Sequence, residues 1–245
     1  MTQPVALITG AARRIGAEIT RTLHQRGLDV IIHCRNSRDE ADALAADLNR
    51  LRDNSAQVLV ADLSDPDDVR RLARDAMELA GRLDVLVNNA SSFYPTPLAD
   101  ATDEDWDALI HSNLRAPYVL IQNLAPSLRE QGGSVINLVD VYAEKPLAEH
   151  SLYCIAKAGL AMLTRSLARE LGPDVRVNGV SPGPILWPEA GQDNQAEILA
   201  ASALKRAGKP ADIANTVAFL ALDADFVTGQ ILAVDGGRSL AFAGA

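Results

Sequence analysis

Two side chains separated by one helical turn, Tyr153 and Lys157, have the types and spacing needed for acid–base chemistry. Residues four apart lie on the same face of a helix, so the phenol and the ammonium can face one cavity. A phenol has an ordinary pKa of about 10, and a neighbouring positive charge favours its ionised form. The pair is therefore suited to donate or accept a proton beside a reacting carbon. Because this spacing is common on surface helices, its meaning depends on the surrounding elements.

A glycine-containing segment near the N-terminus has the composition of a phosphate-binding loop. Gly10 and Gly16 flank two arginines, Arg13 and Arg14, with an apolar run before the segment and a helix-forming stretch after it. Glycine permits a tight turn and a close approach of the backbone, and the free amides of a helix start attract phosphate. A plain turn would also account for the two glycines, but the strand, the helix and the arginines favour dinucleotide binding.

The end of the second predicted strand indicates which dinucleotide binds. An NAD-selective site places Asp or Glu about 20 residues after the loop, where it bonds to the ribose hydroxyls. Arg35 at this strand end can bind a ribose phosphate that a carboxylate would repel, so we expect NADPH rather than NADH. A solvated loop arginine is the alternative. The strand end consists of His33, Cys34, Arg35, Asn36 and Ser37.

Seven short apolar runs alternate with longer stretches of helical period, and these elements must position the side chains described above. Strands buried on both faces have continuous apolar sequences, and the intervening helices act as crossovers between parallel strands. The sequence therefore predicts one α/β domain over residues 1–245. It is Rossmann-like and doubly wound, with a parallel sheet of about seven strands and helices on both faces. The predicted strands are 5–9, 29–34, 57–61, 85–88, 134–139, 175–180 and 230–234.

Composition and charge exclude several classes of protein. The chain of 245 residues has 23 Lys and Arg against 32 Asp and Glu, a formal net charge of −9, and 48% hydrophobic residues. This balance argues against nucleic acid or an anionic membrane as the main partner, and we expect no membrane span. The two cysteines, Cys34 and Cys154, lack metal-ligand spacing and are expected to be reduced thiols. We expect a cytoplasmic protein without a metal site.

The predicted helix Ser151–Leu171 is apolar on nearly all sides, because Leu152, Ile155 and Leu160 do not lie in one stripe. A helix that is apolar all round must be buried all round. The sheet can cover one face, and either a neighbouring helix or a second subunit can cover another. We expect a homo-oligomer.

A series of motifs in fixed order extends over essentially the whole chain. They are the loop 9–16, Asp62, Asn88-Asn89-Ala90, Asn113, Tyr153 with Lys157, Pro182-Gly183 and Val234-Asp235-Gly236-Gly237. In this respect the chain resembles the short-chain dehydrogenase/reductase family. The resemblance implies that Tyr153 is the acid and that Lys157 orients the nicotinamide ribose and lowers the tyrosine pKa. It also implies a water relay at Asn113, a nicotinamide bordered by Pro182 and Gly183, a substrate loop at about 185–200, and a homotetramer.

Three positions depart from the general family pattern. Arg14 replaces the central glycine of the loop, Ser91 replaces the glycine after Asn-Asn-Ala, and Asp140 replaces the catalytic serine. In a doubly wound sheet these positions follow the first, fourth and fifth strands and lie around one crevice. A carboxylate is of no use in polarising a carbonyl, whereas reduction of a carbon–nitrogen double bond requires a proton on nitrogen. Together the three residues favour a nitrogen-rich heterocycle as substrate.

With Phe93 and residues 33–37, the three departures resemble the pteridine reductase branch of the family. This resemblance implies NADPH-dependent reduction of dihydropterins, and of oxidised pterins or dihydrofolate as further substrates, to the tetrahydro level. Phe93 would stack on the pteridine opposite the nicotinamide, while Arg14 would face both the pterin and the pyrophosphate. Ser91 would bond near the same phosphates, and Asp140 with Tyr153 would supply the proton. The alternatives are a strand-end cap for Asp140 and a packed loop aromatic for Phe93.

These arguments give two sets of expected site residues. The catalytic set is Asn113, Asp140, Tyr153 and Lys157, and the substrate-binding set is Arg14, Ser91, Phe93, Asp140 and Tyr153. Asp62 would border the adenine, although it is equally suited to a helix start. The cofactor-binding set is Gly10, Arg13, Arg14, Ile15, Gly16, His33, Arg35, Asn36, Ser37, Asp62, Leu63, Asn89, Ala90, Ser91, Tyr153, Lys157, Pro182, Gly183 and Ile185.

Two other functions compete with pterin reduction. One is a carbonyl reductase of a sugar, acyl group or small ketone, and the other is a catalytically silent NADPH-binding regulator, which an intact Tyr153–Lys157 pair disfavours. We expect no site role for His24, His111 or His150, which we interpret as surface or helix-end residues. Trp106 is expected in the core or an interface.

Overall fold

The computed structural model describes residues 3–187 and 194–240. Within them, seven strands form one parallel sheet in the order β3-β2-β1-β4-β5-β6-β7. The predicted doubly wound α/β fold is confirmed, and each strand lies within two residues of its predicted range. The strands are β1 (Val5–Ile8), β2 (Asp29–Cys34), β3 (Ala56–Val60), β4 (Val85–Asn88), β5 (Ser134–Leu138), β6 (Arg176–Pro182) and β7 (Ile231–Val234).

Eight α-helices in the described residues connect and cover these strands. A π-helical turn, His111–Arg115, joins α4 to α5, and a second, Phe219–Asp223, follows α8. Short 3₁₀ turns occupy Val141–Ala143 and Arg238–Leu240. The helices are α1 (Arg14–Gln25), α2 (Arg38–Leu51), α3 (Pro66–Ala80), α4 (Asp103–Ile110), α5 (Ala116–Glu130), α6 (Ser151–Leu171), α7 (Gln195–Ala201) and α8 (Pro210–Ala218).

Apolar layers bury both faces of the sheet, because successive side chains of a strand point to opposite faces. In β1, Ala6 and Ile8 pack in one layer while Val5 and Leu7 pack in the other, and all four are fully buried. Helices α1, α2 and α8 cover the first layer, and α3, α5 and α6 cover the second. This two-sided burial explains why the strands are continuous apolar runs in the sequence.

The direction of the chain through the sheet changes between β1 and β4. Strands β2 and β3 extend from β1 to one side, whereas β4 to β7 extend to the other. In open parallel sheets, ligands bind beyond the carboxyl ends of the strands at such a switch point. Gly10, Asn89 and Asp140, which follow β1, β4 and β5, therefore lie at one edge of the sheet.

A chain of buried polar side chains fixes α6 against the middle of the sheet. Asn88 Nδ2 donates to Asn137 Oδ1 at 2.8 Å, and Asn137 Nδ2 donates to Thr164 Oγ1 at 2.9 Å. Asn137 and Thr164 are completely buried. Since buried polar groups are stable only when paired, these bonds fix how α6 lies on β4 and β5. Tyr153 and Lys157 lie on the same helix and depend on this placement.

Trp106 on α4 is 46% exposed, so the prediction that it belongs to the core is wrong for this chain. The reason is that the short helix α4 buries only Leu109, and Trp106 faces outward. Its predicted alternative, an interface with another subunit, stays a prediction. Thr102 and Asp105 form a reciprocal cap at the start of this helix.

Candidate active site

Reciprocal hydrogen bonds hold the loop after β1 to the end of β4. Thr9 Oγ1 accepts hydrogen bonds from the backbone amides of Asn89 and Ala90, each at 3.0 Å. In return, Asn89 Nδ2 donates to the carbonyl oxygens of Thr9 at 2.9 Å and Gly10 at 3.0 Å. Two segments that are far apart in sequence thereby form one wall of the site.

Gly10 and Gly16 occupy positions in this wall where a side chain cannot fit. Gly10 has a φ of +62°, and a Cβ there would lie 2.9 Å from the Cα of Ala90. A Cβ on Gly16 would lie 2.2 Å from the carbonyl oxygen of Gly10 and 2.6 Å from Asn89 Nδ2. The N-cap residue of α1, Arg13, makes no side-chain cap to that helix. The first amides of α1 thus resemble those that bind phosphate at helix starts.

Arg14 lies in this loop with a φ of +55°, in the left-handed region that favours glycine. Its guanidinium Nη2 donates to the carbonyl oxygen of Trp187 at 2.9 Å. The side chain therefore reaches from the loop after β1 to the segment after β6. Left-handed backbone costs a non-glycine residue about 1–2 kcal/mol, which indicates that the side chain itself has a use here.

A cavity of about 480 Å³ opens between the loop and the ends of β2, β3 and β4. It brings together the predicted cofactor-binding residues from the first four strand ends. Three arginines, Arg13, Arg14 and Arg35, give it positive charge. Its lining also includes residues that were not predicted: Ala12, Cys34, Ser64, Ser92 and Ser112.

Arg35 and Asp62 face each other at the β2–β3 end of the cavity, with Arg35 Nη1 at 3.7 Å from Asp62 Oδ1. Burial opposes ionisation of Asp62, but hydrogen bonds from the amide and hydroxyl of Ser64 and the charge of Arg35 outweigh it. The pKa of Asp62 consequently lies below its ordinary value. His33 borders the same cavity, and both of its ring nitrogens bond to backbone groups.

Tyr153 and Asp140 are joined directly. The tyrosine hydroxyl donates to Asp140 Oδ2 at 2.8 Å, while Asp140 Oδ1 accepts from the backbone amide of Tyr142 at 2.9 Å. The carboxylate therefore acts with one oxygen as the strand-end cap and with the other as the partner of Tyr153. The strand-end cap derived from the sequence is present, whereas the role of Asp140 in supplying a proton stays a prediction.

Lys157 lies one turn further along α6 and is 2% exposed. Its ammonium donates to the carbonyl oxygen of Leu138 at 2.8 Å and lies 5.7 Å from the centre of the Tyr153 ring. Burial lowers the pKa of Lys157 to about 8, although the charge of Asp140 opposes the shift. The lysine is thus a cation at neutral pH, held against the end of β5.

The expectation that the tyrosine pKa lies below its ordinary value is wrong for this structure. The pKa of Tyr153 lies well above its ordinary value, because the ring is buried and its hydroxyl faces Asp140. Burial likewise raises the pKa of Asp140, against the opposing effects of the Tyr142 amide, Lys157 and Tyr153. Tyr153 therefore keeps its proton at neutral pH and is a donor.

Ser91 links this pair to the π-helical turn between α4 and α5. Its hydroxyl donates to Asn113 Oδ1 at 2.6 Å, and Asn113 Nδ2 donates to the carbonyl oxygens of Ser92 and Leu109, each at 3.0 Å. An interaction with the Ser91 side chain also opposes the rise in the pKa of Tyr153. Ser91 and Asn113, which the sequence assigned to phosphate bonding and a water relay, thus contact one another.

Phe93 lies beside Tyr153 and is 45% exposed. The Phe93 ring meets the Tyr153 ring edge-on, with centroids 4.8 Å apart, and stacks on His150 at 4.7 Å and 18°. An aromatic face next to the proton donor can pack against a flat substrate. His150 precedes the first residue of α6, so its helix-end position was predicted but its contact with Phe93 was not.

Five predicted cofactor residues do not line the main cavity: Tyr153, Lys157, Pro182, Gly183 and Ile185. Ile185 is buried and lines a second cavity of about 410 Å³, beyond β6 and β7. A Cβ on Gly183 would lie 2.5 Å from the Cα of Asp235, so this glycine allows β6 to pack against the turn after β7. Of the predicted substrate loop 185–200, residues 188–193 lie outside the described residues.

Sequence reasoning missed Thr9, whose hydroxyl joins β1 to β4, although a hydroxyl at the end of an apolar run was a visible signal. His24 lies at a helix end as predicted, in the last turn of α1, but it is 4% exposed, with Nε2 at 2.7 Å from Ser55 Oγ. Burial lowers the pKa of His24, so it packs as a neutral ring. No sequence signal indicated that Arg14 would bond to Trp187.

The described residues contain neither a group of three or more His, Cys, Asp and Glu side chains suited to a metal ion nor a helix fit to cross a membrane.

The sheet order, the glycine loop and the tyrosine–lysine pair define a Rossmann-like oxidoreductase. A family model described as enoyl-(acyl carrier protein) reductase matches residues 10–239. The chain is 38% identical to pteridine reductase 1 of Leishmania tarentolae over 284 aligned positions, covering 98% of this chain and 97% of that protein. It is 34% identical to a 3-oxoacyl-(acyl carrier protein) reductase of Staphylococcus epidermidis, covering 95% and 97%.

A solved structure, that of a blue fluorescent protein from a metagenomic library in complex with NADPH, has the same fold. Its TM-score is 0.90 at 37% identity, and the match covers 96% of this chain and 97% of that one. The chain belongs to the short-chain dehydrogenase/reductase family of oxidoreductases.

Proposed function

We propose that this chain is an NADPH-dependent reductase that acts on a carbon–nitrogen double bond of dihydropterins. The observation that carries the proposal is the 2.8 Å hydrogen bond from the Tyr153 hydroxyl to the Asp140 carboxylate. Where the general family pattern has a serine hydroxyl, this site presents a second acidic group. Similarity to pteridine reductase 1 of Leishmania tarentolae supports the same choice.

The main cavity fits NADPH. Its glycines leave backbone atoms accessible, its arginines can neutralise phosphates, and Arg35 lies where a ribose phosphate would discriminate NADPH from NADH. The NADPH complex of the similar solved structure supports this assignment. Arg35 would have to exchange its contact with Asp62 for the phosphate. Because that pair is half exposed at 3.7 Å, the exchange costs little.

Bound NADPH would supply a hydride to a ring carbon of the substrate. The chain must then provide one proton to the adjacent ring nitrogen, so that the double bond becomes a CH–NH single bond. Tyr153, which keeps its proton at neutral pH, is a donor beside Phe93. Asp140 holds the tyrosine hydroxyl in place and, in the protonated form that burial favours, is a second proton source.

Lys157 supplies the positive charge that offsets the phenolate formed when Tyr153 loses its proton. Its ammonium is buried 5.7 Å from the tyrosine ring, so its field is weakly screened. The Ser91 hydroxyl, which donates to Asn113 in this structure, can turn to donate to the phenolate and so stabilise it. Phe93 would pack against the flat face of the substrate ring, and Arg14 would bind at its edge.

Reduction of a carbonyl compound is the second candidate. A 3-oxoacyl-(acyl carrier protein) reductase is 34% identical over nearly the same length, and Tyr153 with Lys157 suits either chemistry. The Asp140 position distinguishes the two, because a carbonyl site is served by a hydroxyl and a pterin site by a carboxyl group. A catalytically silent NADPH-binding regulator would need neither a hydroxyl nor a carboxyl group at this position.

The deciding experiment follows NADPH oxidation with dihydromonapterin, dihydrobiopterin, dihydrofolate and a 3-oxoacyl thioester. Each substrate is tested with the wild type, Asp140→Ser and Tyr153→Phe. Pterin turnover that falls by about 10²–10⁴-fold in Asp140→Ser supports the proposal. Thioester turnover that is kept or increased in Asp140→Ser would instead identify the protein as a carbonyl reductase. Turnover of no substrate, with NADPH still bound, would favour the regulator.

We also propose that the chain forms a homotetramer through surfaces that include α6. Ile155 and Met162, two turns apart on one face of α6, are 49% and 61% exposed, and Tyr118 on α5 is 45% exposed. Exposed apolar side chains on adjacent helices are typical of subunit interfaces. Light scattering should give four chains per particle, and Met162→Lys should reduce that number. A monomeric wild type would contradict the proposal.

A further inference from the structure

We propose that His33 is the positioning residue of the phosphate loop: its neutral imidazole ties Gly10 to Ala61, and the dinucleotide binds to the loop held in that arrangement. The sequence placed His33 among the cofactor contacts. In the structure, both of its ring nitrogens instead form hydrogen bonds with backbone groups of this chain. The inference rests on the proposed function only in taking the cavity as a dinucleotide site.

The two hydrogen bonds fix the chemical form of the ring. The amide of Gly10 donates to His33 Nδ1 at 3.1 Å, and His33 Nε2 lies 3.1 Å from the carbonyl oxygen of Ala61. An amide can only donate and a carbonyl can only accept, so Nδ1 carries the lone pair and Nε2 the hydrogen. The geometry therefore requires a neutral ring with the hydrogen on Nε2.

The ring joins the phosphate loop to the end of β3. Gly10 belongs to the phosphate loop, whereas Ala61 follows β3 and immediately precedes Asp62, which pairs with Arg35. The carbonyl oxygen of His33 also accepts from the amide of Ala11 at 2.8 Å, so the residue holds the loop through both backbone and side chain. On its other side, the loop is held by Asn89. The loop is thus clamped between β2 and β4.

Burial keeps the ring in this form. His33 is 2% exposed, and burial lowers its pKa to about 4, although the Ala61 bond and the charge of Asp62 oppose the shift. At neutral pH the residue adds no positive charge for a phosphate. Its contribution to binding must therefore come from the arrangement of the loop, while the charge comes from the arginines.

Glutamine is the conservative replacement, because its side-chain amide also carries one acceptor and a donor. His33→Gln can accept from Gly10 and donate to Ala61, whereas His33→Leu can do neither. The matched control is His24→Leu. It removes a second buried histidine that bonds to Ser55 outside the cavity, and so tests whether lost stability alone weakens binding.

The test is titration of NADPH into each ligand-free protein, followed by nucleotide fluorescence or calorimetry, with thermal midpoints as a folding check. We expect the NADPH dissociation constant to rise at least about tenfold in His33→Leu and to stay within about threefold in His33→Gln and His24→Leu. In turnover assays, His33→Leu should raise the KM for NADPH far more than it lowers kcat at saturating cofactor.

Equal affinity in wild type and His33→Leu would overturn the inference, as would a loss in His33→Gln as large as that in His33→Leu. If His33→Leu does not fold, the comparison uses His33→Asn, whose shorter amide can reach only one partner. Its affinity must then fall below that of His33→Gln, and equality would overturn the inference. Failure of wild type to bind NADPH would instead refute the proposed function, since no substrate enters this test.

Discussion

The buried ammonium of Lys157 makes the stability of this protein depend on alkaline pH. Burial lowers the pKa of Lys157 to about 8, whereas a lysine in the unfolded chain has a pKa of about 10.4. Between these values the unfolded chain binds a proton that the folded chain has lost. The free energy of unfolding therefore rises with pH across this window; the contribution is fully present above about pH 10.4 and is lost as pH falls towards 8.

The size of the effect follows from the shift. A difference of about 2.5 pKa units corresponds to about 3 kcal/mol in full, of which about 2 kcal/mol develops between about pH 7 and 9.5. Lys157→Met removes the titration and keeps an unbranched side chain of similar length. In a chain of this size, about 2 kcal/mol shifts the melting temperature by about 4–8 °C.

The assay is thermal unfolding of the ligand-free wild type and Lys157→Met at both pH values. The wild type should gain about 4–8 °C relative to the variant on going to the higher pH, because the titration of Lys157 is the main difference between the two proteins. Lys145→Met, at an exposed position, is the control and should show no such change. A difference between wild type and Lys157→Met that stays constant would show that Lys157 has an ordinary pKa and would refute the reasoning from burial.

Three further substitutions test other parts of the site. Arg35→Asp should shift the ratio of kcat/KM for NADPH to that for NADH towards NADH by about 100-fold, because a carboxylate repels the ribose phosphate and binds ribose hydroxyls; an unchanged ratio would remove Arg35 from cofactor choice. Asn137→Leu should lower the free energy of unfolding by about 2 kcal/mol in urea titrations, since Asn88 Nδ2 and Thr164 lose their partner. Stability equal to wild type would show that this chain of bonds does not hold α6. Arg14→Gly should leave the melting temperature equal or higher, because it relieves the left-handed backbone, while raising the KM for substrate about tenfold; an unaltered KM would contradict a binding role.

The strands and the main helices could be predicted because burial on both faces leaves a strong sequence pattern. Helix α6 lies at the predicted residues, Ser151–Leu171. Strand β7 has a weaker sequence pattern than the central strands, because it lies at the edge of the sheet, where a continuous apolar run is not needed. Leu232 in this strand is 44% exposed. The π-helical turn at His111–Arg115 had no signal in the sequence, since it arises from how α4 and α5 pack rather than from local preference.

The membership of the site could be predicted better than its hydrogen bonds. Motif order placed Ser91, Asn113 and Asp140 near one edge of the sheet, but pairing between side chains depends on distances of a few tenths of an ångström. The bond from Ser91 to Asn113 and the divided use of the Asp140 oxygens appear only in three dimensions. The pKa of Tyr153 was predicted with the wrong sign, because the sequence shows neighbouring charges but not burial.

The bonds between Thr9 and Asn89 have a consequence for the order in which the protein can be built. These residues are 80 positions apart, and strands β2 and β3 lie between them in the sequence. The hydrogen bonds between β1 and β4 therefore close a long segment of the chain. Neighbouring strands that are distant in sequence pair late, because loop closure must precede any gain from contact. During synthesis, the first three strands can form before β4 has been made. The cofactor cavity is complete only when β4 has paired with β1. Dinucleotide binding by a growing chain would therefore report that this non-local pairing is complete.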